Sequence, residues 1–317
     1  MGLHADHRHL DRAVGPGHLV PHPFPHVQVT SRRAIMAMKA KPSAGIRRTA
    51  VAACAALTSL AMLAALAGCG EEPATAGQPE GPTIAIGVAA DEPGLSRWHD
   101  GSYSGFETEV ARYVAKKLGY ANKQIIFKQV LPSNRLELLD DGTVDMVIAG
   151  VTMPEIEQQA GDASIEYAGP YLEVAQGMLV RPDDADDITG PDELAGHDVC
   201  VVAGSGAKEA LLAEQPGART HERDTYPQCV TDLMIGTADA IAGDDVILAG
   251  LARAQGGGLA QPVDGVSYGG ARYGVALPEG AGTLAQNVAA ALEDMRSDGS
   301  YEAALRGLAA DTGWRAS

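Results

Sequence analysis

A short pattern occurs twice in this chain, 94 residues apart: Gly142-Thr-Val-Asp145-Met-Val-Ile-Ala-Gly150 and Gly236-Thr-Ala-Asp239-Ala-Ile-Ala-Gly243. Each copy follows a helical stretch, Arg135 to Asp140 in the first and Cys229 to Met234 in the second, and the Gly suits a left-handed helix C-terminus. Each also has an earlier apolar strand that runs into a Gly-containing loop, Thr83 to Val88 and Asp198 to Val202. The same order of elements therefore occurs twice. Short apolar strands alternating with helices predict parallel sheets covered by helices, so the repeat predicts an α/β chain of two lobes.

In such sheets, ligands sit beyond the carboxyl ends of the strands, where loops and helix N-termini offer backbone N–H groups. That places several segments at one cleft. The first repeated strand ends at Gly150 and enters a loop with Thr152; the turn Gly204-Ser205-Gly206 opens the helix that begins at Ala207. Asp244 and Asp245 follow the second repeated strand, and the expectation is that one caps the next helix while the other binds. The Gly-Ser-Gly turn could equally be a tight turn without a ligand. The loop after Thr152 is acidic, with Glu155, Glu157, Asp162 and Glu166, and no Lys or Arg occurs from 153 to 180. Glu157 reads either as a solvated loop carboxylate or as a ligand contact.

The N-terminus reads as a leader. Lys39, Lys41, Arg47 and Arg48 precede an apolar run from Ala50 to Leu66, the pattern of a secretory signal peptide rather than a membrane span of about 20 residues. Its end, Leu66-Ala67-Gly68-Cys69, resembles the lipobox of bacterial lipoproteins, in which the Cys is acylated and becomes the first mature residue. That resemblance makes 1–68 the leader, Cys69 the lipidation site and 69–82, rich in Gly, Pro and Glu, a tether. Six of the nine histidines lie in residues 1–35. Met36 or Met38 is the more ordinary start for such a leader, so these histidines are discounted as metal ligands; Arg32-Arg33 faintly resembles a twin-arginine export signal but lies far from the apolar run and is set aside.

Residues 1–68 hold eight of the 24 Lys and Arg and two of the 41 Asp and Glu, which leaves 16 basic against 39 acidic residues from 69 onward. So negative a body repels phosphate backbones and anionic lipid surfaces, which argues against a nucleic-acid partner. Aromatics at 4% also disfavour a cleft that stacks sugars or bases. Of four cysteines, Cys54 falls in the signal peptide and Cys69 takes the lipid, leaving Cys200 and Cys229. In an exported chain two such thiols are expected to form a disulfide, with two buried free thiols as the alternative.

Taken together, the motifs resemble the amino-acid-binding family of solute-binding proteins that serve ABC importers. The carriers are the helix entry from Ser104 through Gly105-Phe106-Glu107, Gly142-Thr-Val-Asp145, Ala168-Gly-Pro-Tyr171, Gly204-Ser-Gly206, Ala238 to Asp244, and Arg272-Tyr-Gly-Val275. Several stretches look closest to the actinobacterial glutamate-binding lipoprotein branch. The resemblance implies a two-lobed periplasmic-binding-protein type II fold, with lobe I at 83–177 plus 272–317, lobe II at 178–271, and two crossover hinge strands at 176–180 and 273–277. The ligand would lie in the cleft between the lobes and close it by a hinge motion.

The resemblance also implies a ligand set: Gly150 and Thr152 from one lobe, Ser205 and Gly206 from the other, and Asp244 for the ligand ammonium. In this family an Arg five residues after the loop Thr holds the α-carboxylate; here that position is Glu157. Loss of a charge-assisted contact in a buried site costs about 2–5 kcal/mol. Three readings follow. Arg135 replaces the clamp and an amino acid still binds; or the ligand is cationic or zwitterionic with its positive group toward Glu157; or the protein is a tethered sensor or scaffold. A dehydratase on the same fold is the enzymatic alternative, but the mature chain has no Ser/His/Asp order, H-E-x-x-H or Cys/His metal spacing. The expectation is thus a monomeric, cofactor-free, lipid-anchored binding protein on the outer face of the cell membrane. Its partners would be a small amino-acid-like solute and the ABC permease subunits.

Overall fold

The structure is a computed structural model that describes residues 79, 81–154, 165–256 and 258–316. The leader, Cys69, most of the tether and Glu157 lie outside the described residues. Among the described residues no helix is long and apolar enough to cross a membrane.

The first half is built on strand β1 (Ile84–Val88), whose Ile84, Ile86 and Val88 are buried. It pairs in parallel with β5 (Ile125–Gln129) on one side and β6 (Met146–Val147) on the other. Between β1 and β5 a small antiparallel sheet, β2 (Asp91–Glu92), β3 (Ser96–His99) and β4 (Ser102–Ser104), carries Asp91 and Glu92. Helix α1 (Phe106–Lys117) buries Phe106, Val110, Ala111 and Val114, a helical stripe that packs it on the sheet. Its first turn holds Glu107 and Glu109 and its last turn Lys116 and Lys117, which suits the helix dipole. Helix α2 (Arg135–Asp140) then leads into β6.

The second half repeats this plan. Strand β8 (Asp198–Val202) lies between β9 (Arg219–Arg223) and β10 (Ala240–Asp244), all parallel. Helices α3 (Ala207–Glu214) and α4 (Tyr226–Ile235) occupy the positions of α1 and α2. The repeated Asp has the same task in both halves. Asp145 N donates to Ala85 O (2.8 Å) and its Oδ2 accepts from Ala85 N (2.7 Å); Asp239 N donates to Asp198 O (2.7 Å) and its Oδ2 accepts from Asp198 N (3.0 Å). Each Asp thus ties the start of one central strand to the loop that enters its neighbour. The preceding Gly142 and Gly236 sit at φ +74° and +77°, the left-handed helix ends that the motif predicts.

A long antiparallel ribbon joins the halves. Strands β7 (Ile165–Val180) and β12 (Tyr268–Pro278) pair from Ile165 with Pro278 to Gln176 with Tyr268. At one end Ala276 of β12 pairs with Val147 of β6; at the other, Gln176–Val180 of β7 pairs with β10. The nine-stranded sheet therefore runs β5-β1-β6-β12-β7-β10-β8-β9, with β11 (Gln261–Pro262) added on β7. This is the two-lobed, two-strand-crossover fold. The crossing strands are longer than the five-residue segments expected from sequence, because 176–180 and 275–278 are already held by the sheets of opposite halves. Helix α5 (Asp245–Ala254) follows β10, and α6 (Gly282–Ser297) and α7 (Ser300–Thr312) return to cover α1.

Cys200 of β8 and Cys229 of α4 form a disulfide with a Cα–Cα distance of 5.4 Å, which sets aside the free-thiol alternative. It closes a loop across a sequence separation of 29 residues within the second half. On the chain-entropy model that bond stabilises the fold by about 3–4 kcal/mol. The double variant Cys200→Ala/Cys229→Ala is expected to lose about that much in urea titrations followed by circular dichroism, and to lose the sensitivity to reductant shown by the parent.

Candidate functional site

The site forms where the loops of both halves meet over the ribbon. Arg135, first residue of α2, is 8% exposed. Its Nη1 donates to Ala149 O (2.6 Å) and its Nη2 to Gly204 O (3.4 Å), so one guanidinium touches both halves. The contact is tight, because the Gly204 backbone lies against Pro132 and a Cβ there would stand 2.8 Å from Pro132 O. Asp91 Oδ2 accepts from Tyr226 N (3.2 Å), a second bond across the cleft. The halves are closed on one another.

Beneath these contacts lies a buried polar cluster. Glu107 Oε1 accepts from Tyr171 Oη (2.6 Å) and from Gly150 N (2.7 Å). Asp244, at the end of β10, accepts from the Gln176 amide through Oδ1 and from the Tyr273 hydroxyl through Oδ2. Asp245 behaves differently: its Oδ1 accepts from Val246 N (2.7 Å) and Ala175 N (3.3 Å), at the N-terminus of α5. Asp245 thus serves the helix end, whereas Asp244, at the N-cap position, makes no capping bond and turns into the cluster. Glu92 is 3% exposed, and Tyr171, Tyr226 and Tyr273 are buried around it and its neighbours.

Three buried carboxylates thus share a site with one guanidinium. Burial pushes Glu107 up to about 7, against the opposing pull of Tyr171, Gly150 and Arg135. Burial likewise raises Asp244 to about 6 and moves Glu92 well above the usual carboxylate range, with repulsion from Glu107, Asp91 and Asp244 added for Glu92. Among the described residues, Glu92 Oε2, Glu107 Oε2, Gln176 Oε1 and Arg135 Nε are buried without a hydrogen-bond partner. Such atoms are costly in a folded core, and at a cleft between lobes they mark where a solute would contribute donors and acceptors.

Of the residues singled out from sequence, Arg135 and Asp244 come together here. Gly150 joins them through Glu107, Glu157 lies outside the described residues, and Thr152, Ser205 and Gly206 lie apart from the cluster. The Gly150 N–H is committed to Glu107. Thr152 is exposed and bridges to Tyr273 through the backbone, beside the Met153 N to Arg272 O bond (2.8 Å), so this loop is zipped onto β12. The Ser205 hydroxyl donates to Val202 O (2.7 Å) and accepts from Ala207 N (3.3 Å), which makes it a turn and helix-start residue; Gly206, at φ +86°, is exposed. Sequence reasoning did not assign Glu92, Glu107, Gln176, Tyr171, Tyr226 or Tyr273 to the site. Glu107, Tyr171 and Tyr273 lie inside quoted motifs and Gln176 opens the expected hinge strand 176–180, so their positions were signalled without a ligand role; Glu92, in the loop after the first strand, was given no role. One group of metal-capable side chains, Cys200, His221 and Asp232, also converges among the described residues. Its sulfur is spent in the disulfide and Asp232 is paired with Arg223 (2.6 Å) and His221 (3.1 Å), an ion-pair network rather than a metal set.

The raised carboxylates have a measurable consequence. Between the ordinary carboxylate range near 4 and the raised values, the folded protein holds more protons than the unfolded chain, so stability falls as pH rises through this window. Without added solute, urea midpoints are expected to decrease from about pH 5 to about pH 7, and Glu107→Gln is expected to flatten that slope. Asp298, held down to about 2 by Tyr113 and Ser300, acts only in stronger acid.

Comparison with known proteins agrees with this architecture. Residues 84–307 match the family model of bacterial extracellular solute-binding proteins, family 3. The chain is 32% identical over 261 residues to the glutamate-binding protein GluB of Corynebacterium efficiens, covering 78% of this chain and 87% of that protein. It is 28% identical over 222 residues to the ABC transporter glutamine-binding protein GlnH of Bacillus subtilis, covering 69% and 78%. Among solved structures, an ancestral arginine-binding protein bound to arginine superposes with a TM-score of 0.64 at 26% identity, over 71% of this chain and 97% of that one. With two lobes closed over a buried charged cluster and a family match across nearly all of the described residues, this chain belongs to the bacterial extracellular solute-binding proteins, family 3.

Proposed function

We propose that this protein is the extracellular binding component of an ABC importer for an amino acid, held to the membrane by lipid on Cys69. The observation that carries the reading is the burial of Arg135 and Asp244, opposite charges from the two halves, in one closed cleft. A zwitterion fits that pair: its α-carboxylate would lie against Arg135, whose Nε lacks a partner, and its ammonium against Asp244. Arg135 thereby takes the place of the family's missing carboxylate clamp. Lobe I is taken as 83–177 plus 272–317 and lobe II as 178–271, with the β7–β12 ribbon as the hinge. The ligand stabilises the closed state because only closure brings both charges to it, and a permease that recognises this state takes up the solute. A monomer suffices for this task.

Support for the location comes from the family and from the leader, whose Cys69 follows the lipobox pattern. Metabolic labelling with a palmitate analogue is expected to tag the wild-type chain in a bacterial host and to miss Cys69→Ser.

In thermal-shift titrations of the mature chain against the proteinogenic amino acids, a ligand at about 100 times its dissociation constant is expected to add about 2.7 kcal/mol of stability. Arg135→Met is expected to weaken that ligand by about 2–5 kcal/mol, through loss of a buried charged partner. If no amino acid shifts the midpoint, the transport reading gives way to the tethered sensor or scaffold.

A further inference from the structure

The partnerless atoms of the cluster are unequal in kind. In their ionised forms Glu92 and Glu107 offer Oε2 as an acceptor, as Gln176 offers Oε1, whereas Arg135 Nε is the one donor among the four. The Gln176 assignment follows from its bond to Asp244: the amide nitrogen must face that carboxylate, which leaves the carbonyl oxygen free. Each of the four side chains is more than nine-tenths buried. An occupant that satisfies them must bring mostly N–H donors.

An amino acid's backbone groups meet only part of this demand. Its carboxylate takes Arg135 Nε, and its ammonium takes Asp244 and the adjacent Gln176 carbonyl. The remaining acceptors belong to Glu92 and Glu107, which come from β2 and the first turn of α1. Glu107 is already anchored by Tyr171 and Gly150, so Glu92, whose Oε2 is buried without a hydrogen-bond partner and which has Asp91 beside it in sequence, is the freer partner. Glu92 also feels Asp244 and Arg135 and is felt by Tyr226 and Tyr273, which places it within electrostatic reach of groups from both halves. A ligand side chain ending in a carboxylate would add acceptors to acceptors and negative charge to a site that already holds three carboxylates. A guanidinium or ammonium would supply donors and cancel the excess.

Resting on the amino-acid reading above, we infer that the ligand is an amino acid with a cationic side chain, and that Glu92 is the residue that selects it. The role is one of specificity: Arg135 and Asp244 hold the part common to all amino acids, and Glu92 reads the distal positive group. A charge-assisted contact of this kind is strong inside a closed cleft because little water competes for it.

Calorimetric titration of the mature protein with L-arginine, L-lysine, L-glutamine and L-glutamate at about pH 8 tests the inference. Arginine or lysine is expected to bind at least about tenfold tighter than glutamine or glutamate, and Glu92→Gln is expected to cut the ratio of basic-ligand to glutamine affinity by about tenfold or more. Circular dichroism shows whether the variant is folded; should it fail to fold, the wild-type ranking alone decides. If glutamate or glutamine ranks first, or if Glu92→Gln weakens every ligand equally, the cationic assignment is overturned while amino-acid binding stands. If none of the four binds and none of the wider amino-acid panel shifts the melting midpoint, both readings fall together.

Discussion

The antiparallel pairing of β7 with β12 is the interaction on which the rest of the molecule hangs. Both parallel sheets are attached to this ribbon at their edges, through β6 on one side and β10 on the other. Two strands carry all the covalent continuity between the halves, apart from nothing more than their own neighbours in the sheet. Near its middle the ribbon has the backbone of the 151–153 loop on β12 and no third full strand, so it can twist there, whereas the three-stranded sheets at either end are buttressed by helices. The ribbon also supplies chemistry. Tyr171 and Gln176 project from β7 and Tyr273 from β12, so the same strands that bend also hold Glu107 and Asp244.

That coupling explains why so acidic a cluster is tolerated. An ionised carboxylate in a low-dielectric interior carries a penalty of several kcal/mol unless it is paired and hydrogen-bonded. Here two of three are hydrogen-bonded to tyrosines, and one cation serves all of them. The cost is partly met by proton uptake, which the raised values of Glu107 and Asp244 express. Opening the cleft would hydrate the carboxylates and remove much of the penalty. The closed state is therefore the one in which an added positive group gains most.

The two-lobed plan was legible in the sequence because a backbone requirement repeats. Gly is needed at a positive φ and Asp is needed to hold a strand start, so Gly142 with Asp145 and Gly236 with Asp239 recur with constant spacing. Asp244 and Arg135 were legible through position, at a strand end and a helix start over the cleft. Ser205 and Thr152 show the limit of the same reasoning. Both lie on cleft loops, yet the serine hydroxyl is consumed by its own turn and the threonine by backbone pairing with β12. Glu92 was hidden for the opposite reason. A Glu next to Asp and Pro after a strand has the composition of a solvated turn, and only the packing of the small β2-β3-β4 sheet against the second half takes it out of water.

The disulfide has a consequence for how the chain is made. The strands β8, β9 and β10, with α3 and α4, occupy one unbroken stretch from Asp198 to Asp244, and the Cys200–Cys229 bond lies wholly inside it. The first half has no such continuity, since β12 and the covering helices α6 and α7 come from residues after 267. A chain threaded outward from its N-terminus would then complete its second half first. Oxidation would lock that half while the earlier strands still wait for the C-terminal segment.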